Sequence, residues 1–281
     1  MWRVTLPDID ISPHYDLCIS RVRDQGEKAQ LASIKNEITT ANVSYQAMAP
    51  IGNLHTFPAS SDVSGVPGDH LTRTYTSRMA KKDGPGRLMY DQLKALPKGD
   101  RCPFCGHRNV STLDHILPKS EYPVLAVTPA NLVGACSDCN NIKDTHTPTC
   151  PEDSFLHPYY ENLDDAQWLF ATLLETAPAS LEFRVQPVAP WGDNKNARLS
   201  MQFKLLKLNE LYSSQSASEL ADIRHNLQRH FDSDGADAVR DELLFQWNSR
   251  KRNRRNSWST ACYQAMAASE WFCSGGYAII E

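Results

Sequence analysis

Four of the eight cysteines stand in two C-x-x-C pairs, CPFC at 102–105 and CSDC at 136–139, separated by 30 residues. Each such turn directs both of its thiolates to one side, so the two pairs together supply the tetrahedral four-sulfur set that zinc prefers. A closed set of four soft ligands leaves no position for a substrate, and the zinc expected on Cys102, Cys105, Cys136 and Cys139 is therefore structural. The other cysteines, Cys18, Cys150, Cys262 and Cys273, are scattered and read as free buried thiols. Groups that could act on a substrate lie between and just after the two knuckles, in STLDHILPKSEYP (111–123), TPANLVGA (128–135) and CNNIK (139–143). They bring an imidazole, a carboxylate, carboxamides and ammonium groups close to one scaffold.

The order of these residues is specific: an Asp-His, an Asn that would open a second strand, and an Asn on a helix directly after a C-x-x-C. It resembles the HNH (ββα-metal) endonucleases, and the matching positions are Asp114-His115, Asn131 and Asn140, with Lys143 one helical turn further on. The TLDHxLPKS-type segment and NLV-x-x-C-x-x-CN are most similar to the stand-alone bacterial type, found beside ATPases in antiphage systems such as Septu. The resemblance runs from about Arg87 to Lys143, and HPYYENL (157–163) and FKLLKLNELY (203–212) are faintly similar to the same group. Many HNH sites end on a histidine as last metal ligand; this chain has Asn140, with Asn141 beside it.

The resemblance implies a metal-dependent nuclease, and elementary chemistry accounts for the residue types. Phosphodiester hydrolysis needs a deprotonated water and neutralisation of charge on the phosphate and the leaving oxygen. An imidazole can take a proton near neutrality, so His115 is the expected general base. Asp114 and Asn140 offer the hard oxygen ligands that Mg2+ or Mn2+ accepts while keeping waters. Asn131 is expected to fix the His115 ring by a hydrogen bond, and Lys143 to hold the phosphate as a point charge. Lys119 of the LPKS segment is a further candidate contact to nucleic acid. His107, His146 and His157 read as structural or surface residues, with His146 the nearest to a substrate.

The elements that must position these groups follow from periodicity. A helical pattern covers about Ser20–Ile38, Ala49–Asp69 is a Pro, Gly and Ser-rich loop, and a second helix starts after Gly84-Pro85-Gly86. Its apolar stripe would be Leu88, Met89, Tyr90, Leu93 and Leu96, ending at Pro97. Beyond the cysteines, 163–175 reads as helix and 181–188 as strand. Helices are then expected over 196–212, 217–231, 236–249 and 258–272. The class is α+β and mainly helical: a hairpin-and-helix HNH core stapled by zinc, between helical N- and C-terminal regions. Three segments are drawn: an N-terminal helical and irregular region (1–86), the HNH domain with its zinc site (87–160) and a mainly helical C-terminal domain (161–281).

Composition narrows the function class. A 281-residue chain with 41% hydrophobic residues can bury an ordinary core. No run of about 18 apolar residues occurs, and MWRVTLPDIDISPHYD has no basic-then-apolar leader, so the chain is expected in the cytoplasm without a membrane partner. The segment 101–150 is balanced, with Arg101, Arg108, Lys119 and Lys143 against Asp114, Glu121, Asp138 and Asp144. Counterion release alone would give weak binding to nucleic acid, so local patches or a protein partner, in this reading an ATPase, must bring substrate. RKRNRR at 250–255 supplies one candidate patch, in Arg250, Lys251, Arg252, Arg254 and Arg255. The apolar cluster Trp258, Tyr263, Trp271 and Phe272 reads as either a buried stripe or a docking face. DNA is the expected substrate. Two alternatives stay open, an RNA nuclease and a non-catalytic zinc-ribbon binding module.

Overall fold

A computed structural model of the chain describes residues 1–279. It contains two compact units, Met1–Asn162 and a second that begins at Leu163.

In the first unit, three helices precede the irregular stretch: α1 (Ile11–Ser20), α2 (Gln25–Ser33) and α3 (Lys35–Met48). The single helical pattern read over Ser20–Ile38 is therefore broken twice. Asp24 is the first cause, because its carboxylate accepts the Glu27 N–H at 2.8 Å and starts a new helix. The second break is at Ile34, whose φ of −96° and ψ of 14° leave the helical region. The loop after α3 holds two 3-10 turns, Ala49–Ile51 and Leu54–Thr56, and a short hairpin, β1 (Asp62–Val63) with β2 (Val66–Pro67). It leads into α4 (Gly68–Arg73), which continues as a π-helical turn over Thr74–Met79 that no periodicity foretells. Next comes α5 (Arg87–Lys94), where expected, with Met89, Tyr90 and Leu93 buried. Leu88 departs from the expected stripe, facing solvent at 69% exposure.

The centre of the unit is β3 (Thr112–His115) paired antiparallel with β4 (Leu132–Ala135), followed at once by α6 (Ser137–Lys143). The register sets His115 opposite Leu132 and Asp114 opposite Val133. One continuous core joins Tyr15, Leu31 and Ile38 of the first helices, Leu71 and Met79, Leu93 of α5, and Leu113 and Leu132 of the hairpin. Residues 1–86 and 87–160, drawn apart from sequence, share that core.

The second unit opens with β5 (Leu169–Leu174) antiparallel to β6 (Ser180–Val185). The helix expected over 163–175 is replaced by a strand, because a short apolar run fits either form and the six-residue pairing with β6 decides. Then come α7 (Gly192–Leu205) and α8 (Leu208–Asn253), separated by Lys207 at φ 50°. The break falls inside the helix expected over 196–212. Within α8 the chain reverses at Asp234 and Gly235, the latter at φ 69°. Arg250 reaches Glu219 at 3.3 Å and Asn226 reaches Glu242 at 3.4 Å, so the two arms are antiparallel, as the separate patterns 217–231 and 236–249 require. The last expected helix divides into α9 (Trp258–Ala268) and α10 (Glu270–Cys273), since Ser269 caps the Phe272 N–H at 3.1 Å. Tyr263 and Phe272 are core residues and Trp271 packs over Gly276, so the C-terminal aromatic cluster is mainly interior. The observed class is the one read from sequence, mainly helical with small sheets. Among the described residues, no helix is long and apolar enough to cross a membrane.

Candidate active site

The two knuckles converge as their spacing requires. The ligand sulfurs of Cys102, Cys105, Cys136 and Cys139 all lie within 4.8 Å of one another and all four residues are buried. Four thiolates at the usual zinc–sulfur distance would be about 3.8 Å apart, so this donor set fits a tetrahedral zinc ion after a small contraction. Backbone hydrogen bonds shape each turn. The Arg108 N–H reaches Cys105 Sγ and the Cys139 N–H reaches Cys136 Sγ, both at 3.4 Å. Gly106 closes the first knuckle at φ 65°, a left-handed position that glycine occupies without strain. The Arg108 guanidinium pairs with Asp138 at 2.7 Å and ties one knuckle to the other.

Cys136 also caps α6, so the second knuckle fixes where that helix starts. One turn later Asn140 reaches a cleft of 350 Å³ that is also lined by Asp114, His115, Lys119, Asn141 and Asp144. The structure thus brings together Asp114, His115, Asn140 and Lys119 of the expected site. Asn131 and Lys143 are buried and stand outside the cleft lining.

Their contacts revise two expected roles. The Asn131 carboxamide accepts from the Leu117 N–H at 2.8 Å and donates to the Leu117 carbonyl at 2.9 Å, fixing the loop after His115 rather than its ring. Lys143 donates to the His115 carbonyl at 2.5 Å and lies 3.5 Å from Asp114 Oδ1. Its ammonium is spent on the inner side of the site and does not reach out to a phosphate. A buried pair of this kind is strongly destabilising to break from one side, because it leaves a charge uncompensated.

The His115 ring is held instead by Ala126, whose carbonyl lies 2.8 Å from Nε2. A carbonyl can only accept, so Nε2 carries the hydrogen and Nδ1 keeps its lone pair. Burial pushes the imidazolium down to about 3, and the Lys119 and Lys143 ammoniums push the same way. The ring is therefore neutral at neutral pH, the form that can accept a proton. Burial raises the Asp114 carboxyl to about 6 against the pull of Lys143. Asp114 Oδ2 is buried and has no hydrogen-bond partner. An anionic oxygen in that condition calls for a cation, and with the Asn140 carboxamide on the same cleft the residues fit a hard divalent metal.

Sequence reasoning missed part of this cleft. Thr72 and Thr76 line it from α4 and the π-helical turn, and Tyr75 meets the His115 ring edge-on with centroids 4.4 Å apart. No spacing rule links residue 75 to residue 115; the contact is made only by the fold. Asp144 is also in the lining and follows Lys143 at φ 46°. Two further histidines near the site make structural contacts: His146 bonds the Asp153 carbonyl at 2.8 Å, and His157 meets the Tyr45 hydroxyl at 3.0 Å.

The basic run lies in the second unit and is largely engaged there. Arg250 pairs with Glu219 and stacks 3.9 Å over Tyr263, Lys251 sits over Trp247, and Arg255 donates to the Asp165 carbonyl. Arg254 is partly buried, and Arg252 is the exposed cation of the group. The run is thus no projecting basic platform.

The cysteine cluster, the β3–β4 hairpin and α6 all fall between residues 102 and 143. Residues 102–146 match the family model of the HNH endonucleases, and the chain carries an HNH endonuclease domain there. Over a much longer stretch it is similar to Protein ea31 of Escherichia phage lambda, 26% identical over 252 residues, covering 82% of this chain and 85% of that protein. That similarity extends into both units. No solved structure matches the chain.

Proposed function

We propose that the chain is a metal-dependent endonuclease that hydrolyses phosphodiester bonds in DNA. The observation that carries this reading is the pairing, on one cleft, of a buried carboxylate oxygen without a partner and a neutral imidazole whose Nδ1 is left to accept. Asp114 and Asn140 would hold Mg2+ or Mn2+. The bound cation would supply charge neutralisation on the phosphate and the leaving oxygen. His115 Nδ1 takes the proton of the attacking water, with the ring kept in register by Ala126. Lys119, the cation lining the cleft, pairs with the phosphate. Lys143 keeps Asp114 and the His115 backbone in place from behind. In the second unit, the exposed Arg252 offers a separate contact to a polyanion.

The test is conversion of supercoiled plasmid to nicked or linear forms with Mg2+ or Mn2+ added. Chelation should stop cutting, and returning Mg2+ should restore it while the zinc content stays constant. Matched RNA should be cut much more slowly than DNA; preference for RNA would replace DNA in this reading, and no cutting with either metal would reduce the site to a binding module.

The finer reading is a cutting subunit of an antiphage system that works with an ATPase partner. Its support is the charge balance of 101–150, which gives little general attraction to a polyanion, and the resemblance to ATPase-linked HNH proteins. Co-expression with the product of the adjacent gene is expected to yield a stable complex that cuts at physiological salt at least tenfold faster than the chain alone. Equal activity of the isolated chain, with nothing co-purifying, would remove the partner.

A further inference from the structure

The cleft has a wall that comes from outside the matched segment. Gly68 starts α4 under tight constraint, its N–H bonding the Ser61 carbonyl at 2.9 Å, and a Cβ there would come within 2.7 Å of that oxygen. Leu71 and Met79 anchor the turn in the core at 1% and 0% exposure. Between them the helix widens: the Ala80 N–H bonds the Tyr75 carbonyl five residues back, at 2.8 Å. Such π-helical turns are frequent at functional sites because they re-aim side chains within an otherwise regular helix. Here Thr72 and Thr76 border the cleft. Tyr75 lies under the His115 ring at an interplanar angle of 75°, its hydroxyl donates to the Leu113 carbonyl at 3.3 Å, and the Lys119 ammonium lies 5.7 Å from its ring centre.

Resting on the nuclease reading, we propose that residues 72–76 are a second wall of the active site, on which Thr72 and Thr76 bind a phosphate of the substrate strand next to the one being cut, while Tyr75 positions His115 and Lys119. The chemistry suits a phosphate in a cleft that already holds the carboxylates Asp114 and Asp144. Neutral hydroxyls donate to phosphate oxygens without forming ion pairs with those carboxylates, and phosphate contacts set the register of a strand without reading its sequence. Each threonine hydroxyl now donates to a carbonyl of its own helix, Asp69 at 3.0 Å and Thr72 at 3.1 Å. These are weak local bonds at an exposed position, and a hydroxyl rotor can turn from them to a phosphate oxygen.

The experiment separates binding from positioning. Affinity for a fluorescent DNA oligonucleotide is measured without divalent metal, and kcat and KM with it, on the full chain. One neutral hydrogen bond is worth about three- to tenfold in binding. The double variant Thr72→Val, Thr76→Val should therefore bind about 10- to 100-fold more weakly, with KM rising and kcat nearly kept, and Thr72→Ser, Thr76→Ser should recover most of the loss. Tyr75→Leu should do the opposite: kcat about tenfold or more lower, oligonucleotide affinity lowered only slightly through Lys119, and zinc retained, with Tyr75→Phe restoring most of kcat. Unchanged affinity in the double valine variant, in a chain that cuts DNA, would overturn this proposal and leave the nuclease reading intact. So would a Tyr75→Leu variant whose kcat and affinity fall together with its melting temperature. A parent chain that neither binds nor cuts DNA would overturn both.

Discussion

Replacing His115 by alanine is expected to lower the rate of DNA cutting by about a hundredfold to ten-thousandfold, the range that one positioned general base contributes. The expectation follows from the ring's surroundings. Nε2 is committed to the Ala126 carbonyl, Nδ1 is left to accept, and burial with two nearby ammonium groups keeps the ring neutral. No other histidine lines the cleft, so no second imidazole stands ready to take over. The zinc content should be unchanged, because His115 is not one of the four sulfur donors. A buried ring that packs on Tyr75 also contributes to stability, and its removal leaves the Ala126 carbonyl without its donor. His115→Gln is the control for that effect, since its carboxamide can still donate to a carbonyl but cannot act as a base near neutrality. Both variants should be inactive, with the glutamine form melting closer to the parent. A folded, zinc-loaded His115→Gln chain that cuts at the parent rate would sink the base assignment.

The parts of this site that could be read in the sequence are those fixed by short-range geometry. Two C-x-x-C turns define a sulfur set whatever the rest of the fold does, and Asp114-His115 and Asn140 are tied to those turns through one hairpin and one helix. Roles that depend on what a side chain meets across the core were read wrongly or not at all. Asn131 was expected on the His115 ring, yet its carboxamide matches the backbone of Leu117 on both edges and is used there. Lys143 lies one turn after Asn140, but the turn carries it inward under Asp114. Thr72 comes from α4, and Tyr75 and Thr76 come from the π-helical turn that continues it and has no periodic signature. The C-terminal unit shows the same limit. Its helical hairpin was legible because Gly235 punctuates two good patterns, whereas β5 depends on a partner strand and RKRNRR on neighbours at Glu219, Trp247 and Asp165.

Loss of one zinc ligand is expected to have the second large effect, and of a different kind from loss of the base. Cys139→Ser should abolish binding of about one zinc per chain, because a neutral hydroxyl is a poor substitute for a thiolate in an all-sulfur set. Zinc binding in such sites is worth about 10–16 kcal/mol at neutral pH and is coupled directly to folding. What unravels can be argued from the core. The continuous apolar cluster of the first unit includes Leu113 and Leu132 of the hairpin but none of the four cysteines. Without zinc, the knuckles at 102–105 and 136–139 should therefore loosen first, with β3 and β4 retained longer against α1 to α5. Cys136 caps α6, and that helix carries Asn140 toward the cleft, so metal binding at Asp114 and Asn140 should fail as the knuckle opens. Cys102→Ser, on the other knuckle, should lose zinc in the same way although it lies on no helix of the site. In both variants, cutting, zinc content and the protection of 101–146 from proteolysis should fall together, whereas His115→Gln loses cutting alone. Elemental analysis that finds no zinc in the parent chain, or a Cys139→Ser chain that keeps its zinc and its protection, would show that the four sulfurs are buried thiols and that the hairpin is held by packing.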